Sequence, residues 1–275
     1  MKRISMNGLW ILFLGAGLLA SCQKSDQQAQ KQPETAPGAA QQATPPAEQP
    51  AQPVQEPAAQ PEKGIEPAAQ QAQAGGDRLV PLDIKLPKPM FVGTPTNVAV
   101  PNLEKPLGHA RPPFMAPSGT ANVALKKPVS SSDEQPIIGE LTMVVDGDKE
   151  GGEGSFVELG PSQQHVTIDL KAKHTIYAIV VWHYHKQPVV YHDVIVQVAD
   201  DRDFISNVST VFNNDIDNTS GRGVGKEMSY VETAEGKLID ARGVQGRYVR
   251  LYSRGNTSND LNHYIEVEVY GKAVK

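Results

Sequence analysis

The chain is nearly without cysteine: Cys22 is the only one among 275 residues. An intramolecular disulfide and a cysteine-based zinc cluster are therefore excluded. A basic surplus is missing too. Lys and Arg number 26 against 31 Asp and Glu, and from Ser118 onward the balance is 16 against 22. That gives no electrostatic footprint for a phosphate backbone, so nucleic-acid binding is disfavoured. Aromatic residues make up 6% and hydrophobic residues 39% of the chain, which is lean for a protein folded throughout. Proline is scarce in one half only: of 22 prolines, just Pro128, Pro136, Pro161 and Pro188 follow Ser118. The chain therefore joins two different materials. The apolar run Leu9–Leu19 is too short to span a bilayer comfortably.

Lys2 and Arg3 precede that run and small residues follow it, the layout of an export signal. At its end Leu19-Ala20-Ser21-Cys22 resembles the lipobox of bacterial lipoproteins. The resemblance implies that residues 1–22 are the lipoprotein signal and lipobox, with Cys22 as the acylated mature N-terminus. Acyl chains at about 0.8 kcal/mol per buried methylene would then attach the protein to a membrane. Gln23 in place of aspartate after the cysteine implies the outer membrane, by resemblance to the sorting rule of Gram-negative lipoproteins. Residues 23–76 hold 14 Gln, 13 Ala and 9 Pro; with almost nothing to bury, they are expected to form a disordered linker. As a coil it would reach about 40 Å from its anchor, either as a presenting stalk or as a plain spacer. Residues 77–117 alternate small apolar groups with prolines, a spacing that neither helix nor central strand tolerates. An extended strap is expected there, with Pro112-Pro113-Phe114-Met115 as its contact with the folded part.

Residues 118–275 read differently: short alternating runs separated by Gly, Asn and Asp predict an all-β sandwich without an amphipathic helix. Alternation in His165–Leu170 predicts Val166, Ile168 and Leu170 as a buried set. Arg247–Tyr252 gives Val249 and Leu251 in the same way, and Tyr264–Tyr270 gives Ile265, Val267 and Val269. Six landmarks carry a family resemblance. They are Asn122–Ser132, Val145-Asp146-Gly147-Asp148, Val166–Leu170, Asp193–Asp201, Gly246–Leu251 and Glu266–Gly271. In that order they resemble a discoidin domain, also called coagulation factor five/eight type C. The resemblance covers about residues 118–272 and implies an antiparallel jelly-roll β-sandwich of the galactose-binding kind. It also implies a non-catalytic binding role, for a glycan or for a protein of the cell envelope.

Four clusters could carry chemistry. The turn Asp146–Glu153 is acidic and glycine-rich, as a calcium loop must be to supply hard oxygens, although a solvated Asp-Gly turn has the same composition. The family resemblance implies Asp146, Asp148 and Glu266 as ligands of a structural calcium ion. Next, if Gln187-Pro188 forms a two-residue turn, the segment Ile176–Asp200 is a hairpin in which His183 faces His192 and Tyr184 faces Tyr191. His183, His185 and His192 then share one face, giving either a zinc site or histidines at the rim of a core. On the other face Trp182, Tyr184 and Tyr191 offer rings for stacking on a sugar or on a partner protein, unless the strap covers them. Lastly, the loop Ser253–His263 carries Arg254, Asn256, Asn259 and His263. These suit the directional hydrogen bonds of a sugar or, alternatively, a turn that satisfies its own backbone. Phosphate-loop, EF-hand and nucleophile-elbow patterns all fail.

Overall fold

The computed structural model describes residues 77–91 and 98–274; the expectations for residues 1–76, Cys22 among them, and for residues 92–97 lie outside the described residues. Eleven strands are present: β1 (Leu79–Pro81), β2 (Met115–Pro117), β3 (Ala121–Asn122), β4 (Val129–Ser131), β5 (Val157–Leu159), β6 (Gln164–Trp182), β7 (Ile195–Ala199), β8 (Ser209–Asn213), β9 (Lys237–Ser253), β10 (Asn262–Tyr264) and β11 (Glu266–Ala273). Among the described residues the only helical element is the 3₁₀ turn Leu141–Val145. All strand pairings are antiparallel. The expected all-β antiparallel sandwich is therefore what the chain forms.

Two long strands organise it. β6 and β9 pair along their whole lengths, with register shifts between Asp169 and His174 and between Ile176 and Ala178. Lys171 at φ 70°, with Arg242 at φ 53° and Gly243 at φ 75°, mark the places where the two strands turn. The left-handed conformation is costly for Lys171 and Arg242 but free for Gly243. Before the bend, β6 lies between β4 and the C-terminal half of β9, followed by β7 and β8. After it, β6 lies between β11 and the N-terminal half of β9, with β3 outside β11. One continuous ladder thus supplies both layers, and bulges of this kind are how strands turn corners.

The layers enclose Val166, Ile168, Leu170, Val249 and Leu251 from the first half, with Ile179, Val181, Ile239, Val267 and Val269 from the second. These sets follow the alternation read from the sequence, with one exception. Ile265 precedes β11 and belongs to a second cluster on the outer face, with Ala178, Val180, Trp182 and Tyr270. β6 is therefore apolar on both faces beyond its bend, because this part of the sheet is covered twice.

The outer cover is the strap. β1 and β2 pair, Leu82 N–H donates to Phe114 O, and Leu82, Ile84 and Phe114 pack on the outer cluster. Arg111 Nη1 donates to Gly236 O at 2.8 Å, which ties the strap to the turn before β9. The strap is thus partly a two-stranded ribbon rather than wholly irregular, since its prolines sit at ribbon ends where a missing amide is tolerated. Phe114 is its apolar anchor, whereas Met115 is exposed. Phe114→Ala is expected to lower stability by about 1–3 kcal/mol. It should also speed limited proteolysis between residues 77 and 117, checked by mapping the cleavage sites.

Candidate functional site

β5 and β10 pair in a register that sets Glu158 opposite His263, Val157 opposite Tyr264 and Leu159 opposite Asn262. Alternation sends Val157, Leu159 and Tyr264 into the core and turns Glu158 and His263 toward the surface. Beside this pair runs the segment after β6. It does not form the expected hairpin: β6 ends at Trp182, and β7 pairs with β8 and β9 instead. The stretch 183–194 crosses as a loop and meets the loop after β9, through a bridge between Tyr191 and Asn256 and through Arg254 N–H donating to His192 O.

Together these parts form a cleft of about 210 Å³, lined by Phe156, Glu158, Tyr184, Gln187, Val189, Tyr191, Asn256, Asn259 and His263. Phe156 and Tyr184 make an aromatic wall with ring centroids 4.9 Å apart. Behind it runs a hydrogen-bonded chain: Tyr191 Oη lies 2.7 Å from His263 Nδ1, and His263 Nε2 lies 3.0 Å from Glu158 Oε2. A carboxylate only accepts, so Nε2 carries the proton, Nδ1 accepts, and Tyr191 donates. Burial pushes the His263 pKa down, against the pull of Glu158, and pushes the Tyr191 hydroxyl well up. The imidazole is thereby kept neutral near pH 7 and its orientation is fixed from both sides.

Five residues expected to contact a ligand meet in this cleft: Tyr184, Tyr191, Asn256, Asn259 and His263. Their roles differ. The Asn256 amide donates to Asn259 Oδ1 and Leu261 O and accepts from Ser258 N–H and Asn259 N–H. It organises the loop and has little left for a ligand. Asn259 spends its Oδ1 on Asn256 and Leu261, lines the cleft, and has no hydrogen bond from its NH₂ group among the described residues. Tyr191 is almost wholly buried and stacks on His183, with centroids 4.3 Å apart, so its ring backs the cleft rather than forming its face.

Two expected ligand contacts lie elsewhere. Trp182 is 0% exposed, and its Nε1–H donates to Ala234 O at 3.0 Å. The strap-covered outer cluster claims its ring, which therefore cannot stack on a sugar. Arg254 turns to Asp193, with Nη1 3.6 Å from Oδ2, outside the lining of the cleft. The sequence reading also passed over Phe156, Glu158, Gln187 and Val189. Alternation in Phe156-Val157-Glu158-Leu159 was the available signal, since placing Val157 and Leu159 inward leaves Phe156 and Glu158 outward.

The three histidines expected to share a face do not converge. His183 Nδ1 lies 2.6 Å from Glu232 Oε1 with both side chains fully buried, His185 Nε2 donates to Lys149 O at 2.9 Å, and His192 stands partly exposed in the crossing loop. A zinc site needs all three around one point, and without the hairpin they belong to separate environments.

The carboxylates of the expected calcium loop are only partly placed for a cation. Glu266 is buried; its Oε2 accepts from Gly147 N–H at 3.1 Å, while its Oε1 has no partner. Burial, with Glu268 and Asp146 nearby, raises its pKa to about 9. An orphaned buried carboxylate oxygen at the foot of a turning loop fits a hard cation. Asp146 and Asp148 stand exposed on that loop, and each accepts one backbone N–H of the turn, from Asp148 and Glu150 respectively, through Oδ1. Among the described residues, the three carboxylates whose oxygens lie within 4.8 Å of one another are instead Asp193, Asp215 and Asp217. That triad could hold a metal ion, although Thr219 and Ser220 already donate to Asp215.

No protein-family model matches the chain, and no curated protein matches it. Solved structures with similarity include a family 89 glycoside hydrolase from Clostridium perfringens, at 16% identity and a TM-score of 0.41, covering 56% of this chain. This chain spans 15% of that enzyme's length. A chitosan-binding module from a chitosanase/glucanase of Paenibacillus sp. IK-5 is 18% identical, with 55% of this chain and 99% of that one covered and a TM-score of 0.41. A Streptococcus pneumoniae fucose-binding module is 21% identical, with 55% and 97% covered and a TM-score of 0.39.

Proposed function

We propose that residues 118–275 form a non-catalytic carbohydrate-binding domain, held at the outer membrane by acylated Cys22 and raised from it by residues 23–76. The cleft at Phe156, Tyr184, Asn259 and His263 carries this reading. Two adjacent rings offer flat apolar contact, while amide and carboxylate groups beside them can receive the hydroxyls of a sugar. Among the described residues Glu158 is the one carboxylate that lines the cleft, whereas glycoside hydrolysis ordinarily needs two.

In mechanism the domain recognises rather than reacts. A sugar face stacks on Tyr184 and Phe156. The Asn259 NH₂ group, the Gln187 amide and the Glu158 carboxylate meet its hydroxyls. The Tyr191–His263–Glu158 chain holds the floor rigid, so little ordering entropy is lost on binding. A calcium ion at Glu266, Asp146 and Asp148, completed by carbonyls of the 146–153 loop, would supply positive charge to the orphaned carboxylate and tie that loop to β11.

A glycan array probed with the full chain tests the reading. Binding to a discrete set of glycans is expected, and Tyr184→Ala should weaken it at least tenfold with the melting curve kept, because Tyr184 is half-buried and its ring faces the cleft. An array blank at high protein concentration, with and without calcium, would overturn it. Cross-linking in cells to one defined protein instead would assign the cleft to an envelope partner. For the anchor, mass spectrometry is expected to find acylated Cys22 at the N-terminus, and an intact Met1 with a free thiol would refute it.

A further inference from the structure

Among the described residues that line the cleft, Glu158 carries the only formal charge. Of the nine lining residues the others are aromatic, aliphatic or amide side chains and the His263 imidazole, which burial keeps neutral. Arg254 turns to Asp193, Lys149 is held by Glu268 at 2.6 Å, and Lys186, although next to Gln187 in sequence, is not among the residues that line the cleft. The Glu158 side chain is only 13% exposed, and its Oε2 is fixed by His263. Among the described residues none donates to its Oε1, so one carboxylate oxygen is presented to whatever enters. Register fixes this position, since Glu158 faces His263 across the β5–β10 ladder.

We infer that the cleft selects a sugar unit bearing a free ammonium group, with Glu158 as the residue that discriminates it from N-acetylated and acidic sugars. The inference rests on the carbohydrate reading above. An ammonium opposite a partly desolvated carboxylate makes a charge-assisted hydrogen bond, roughly twice as strong as a neutral one. An N-acetyl group offers a neutral amide in its place. A uronate brings like charge to a cleft whose described lining includes no Lys or Arg to receive it, which is repulsive. The cleft volume of about 210 Å³ is below the ~300–1,000 Å³ of pockets for drug-sized ligands, so a single sugar unit fills it and the substituent beside Glu158 decides the fit.

Calorimetric titration of the full chain tests this with matched probes at mildly acidic pH: oligomers of glucosamine and galactosamine, their N-acetylated counterparts, and a galacturonate oligomer of equal length. At least one amine oligomer is expected to bind about tenfold or more tighter than its N-acetylated twin, and galacturonate not at all. Glu158→Gln, which preserves size and an acceptor for His263, should abolish the preference for the amine over its N-acetylated twin, and the ratio of the two affinities, read on the folded variant, is what tests it. Should that variant not fold, the ranking of the three probe classes on the unmodified chain decides alone. Galacturonate binding as tight as the amine, N-acetyl binding with no amine preference, or a preference that persists in folded Glu158→Gln would overturn the inference and leave the carbohydrate reading standing. A chain that bound neither these probes nor any glycan on the array would overturn both.

Discussion

Replacing Trp182 with alanine is expected to cost the fold about 3–5 kcal/mol while glycan affinity, measured at a temperature where the variant stays folded, is unchanged. Trp182 is completely buried and donates to Ala234 O. Around it pack Ala178, Val180, Ile265 and Tyr270, with Leu82, Ile84 and Phe114 of the strap above. The turn before β9 is cut to the same ring: a Cβ on Gly236 would approach Trp182 to 2.6 Å, and Gly236 has φ +62°. No other residue type lets that turn lie so close. Truncation would leave a large cavity under the strap and an unpaired carbonyl at Ala234. A fall in melting temperature of about 6–20 °C is the expected reading, at roughly 2–4 °C per kcal/mol for a domain of this size. Near-normal stability with lost glycan binding would return Trp182 to the recognition surface.

Glu266 should make stability depend on pH in the direction opposite to most carboxylates. Burial raises its folded pKa to about 9 from an ordinary 4.5. Below pH 4.5 the carboxyl is protonated in both folded and unfolded states, and it imposes no penalty. As pH rises from 4.5 toward 9 the unfolded chain releases the proton and the folded one retains it, so stability drains away across that window, on the order of 3 kcal/mol by pH 7. Glu266→Gln removes the titration and keeps an acceptor for Gly147 N–H. The variant is therefore expected to melt about 6–12 °C higher than the unmodified chain at pH 7 in chelator, and the gap should close below pH 5. Calcium, if bound there, relieves the same penalty, so millimolar calcium should raise the melting temperature of the unmodified chain and leave Glu266→Gln unmoved. Equal melting temperatures of the two proteins in chelator across pH 5–8 would contradict this account.

The core was legible because strand alternation is a local signal. Val166, Ile168, Leu170, Val249, Leu251, Val267 and Val269 fall on the predicted face, and the inner cluster contains them all. Alternation does not say how many times a sheet is covered. On the outer face of β6 the sequence left open whether Trp182 and Tyr184 meet a ligand or lie under the strap, and the strap, from more than sixty residues upstream, closes over Trp182. The hairpin failed for a related reason. Gln187-Pro188 is plausible turn chemistry, but β9 offers β7 a long partner, and pairing with it displaces the local alternative. In the candidate site, His263, Tyr184 and Asn259 were recognisable from side-chain type and loop position. Glu158 was not, because what makes it notable is the His263 opposite it 105 residues later, a pairing that only register reveals. Asn256 shows the converse: a residue type suited to sugars that is consumed by its own loop.

Chemical-shift mapping of the labelled chain with a glycan identified on the array tests the central claim most directly. The perturbed amides and side chains are predicted to cluster at Phe156, Glu158, Tyr184, Gln187, Asn259 and His263, with Trp182 Nε1–H and the outer cluster still. Shifts confined to the groove at Thr210, Arg222 and Lys226 on β8 and its following loop, or no shifts with any glycan, would contradict it.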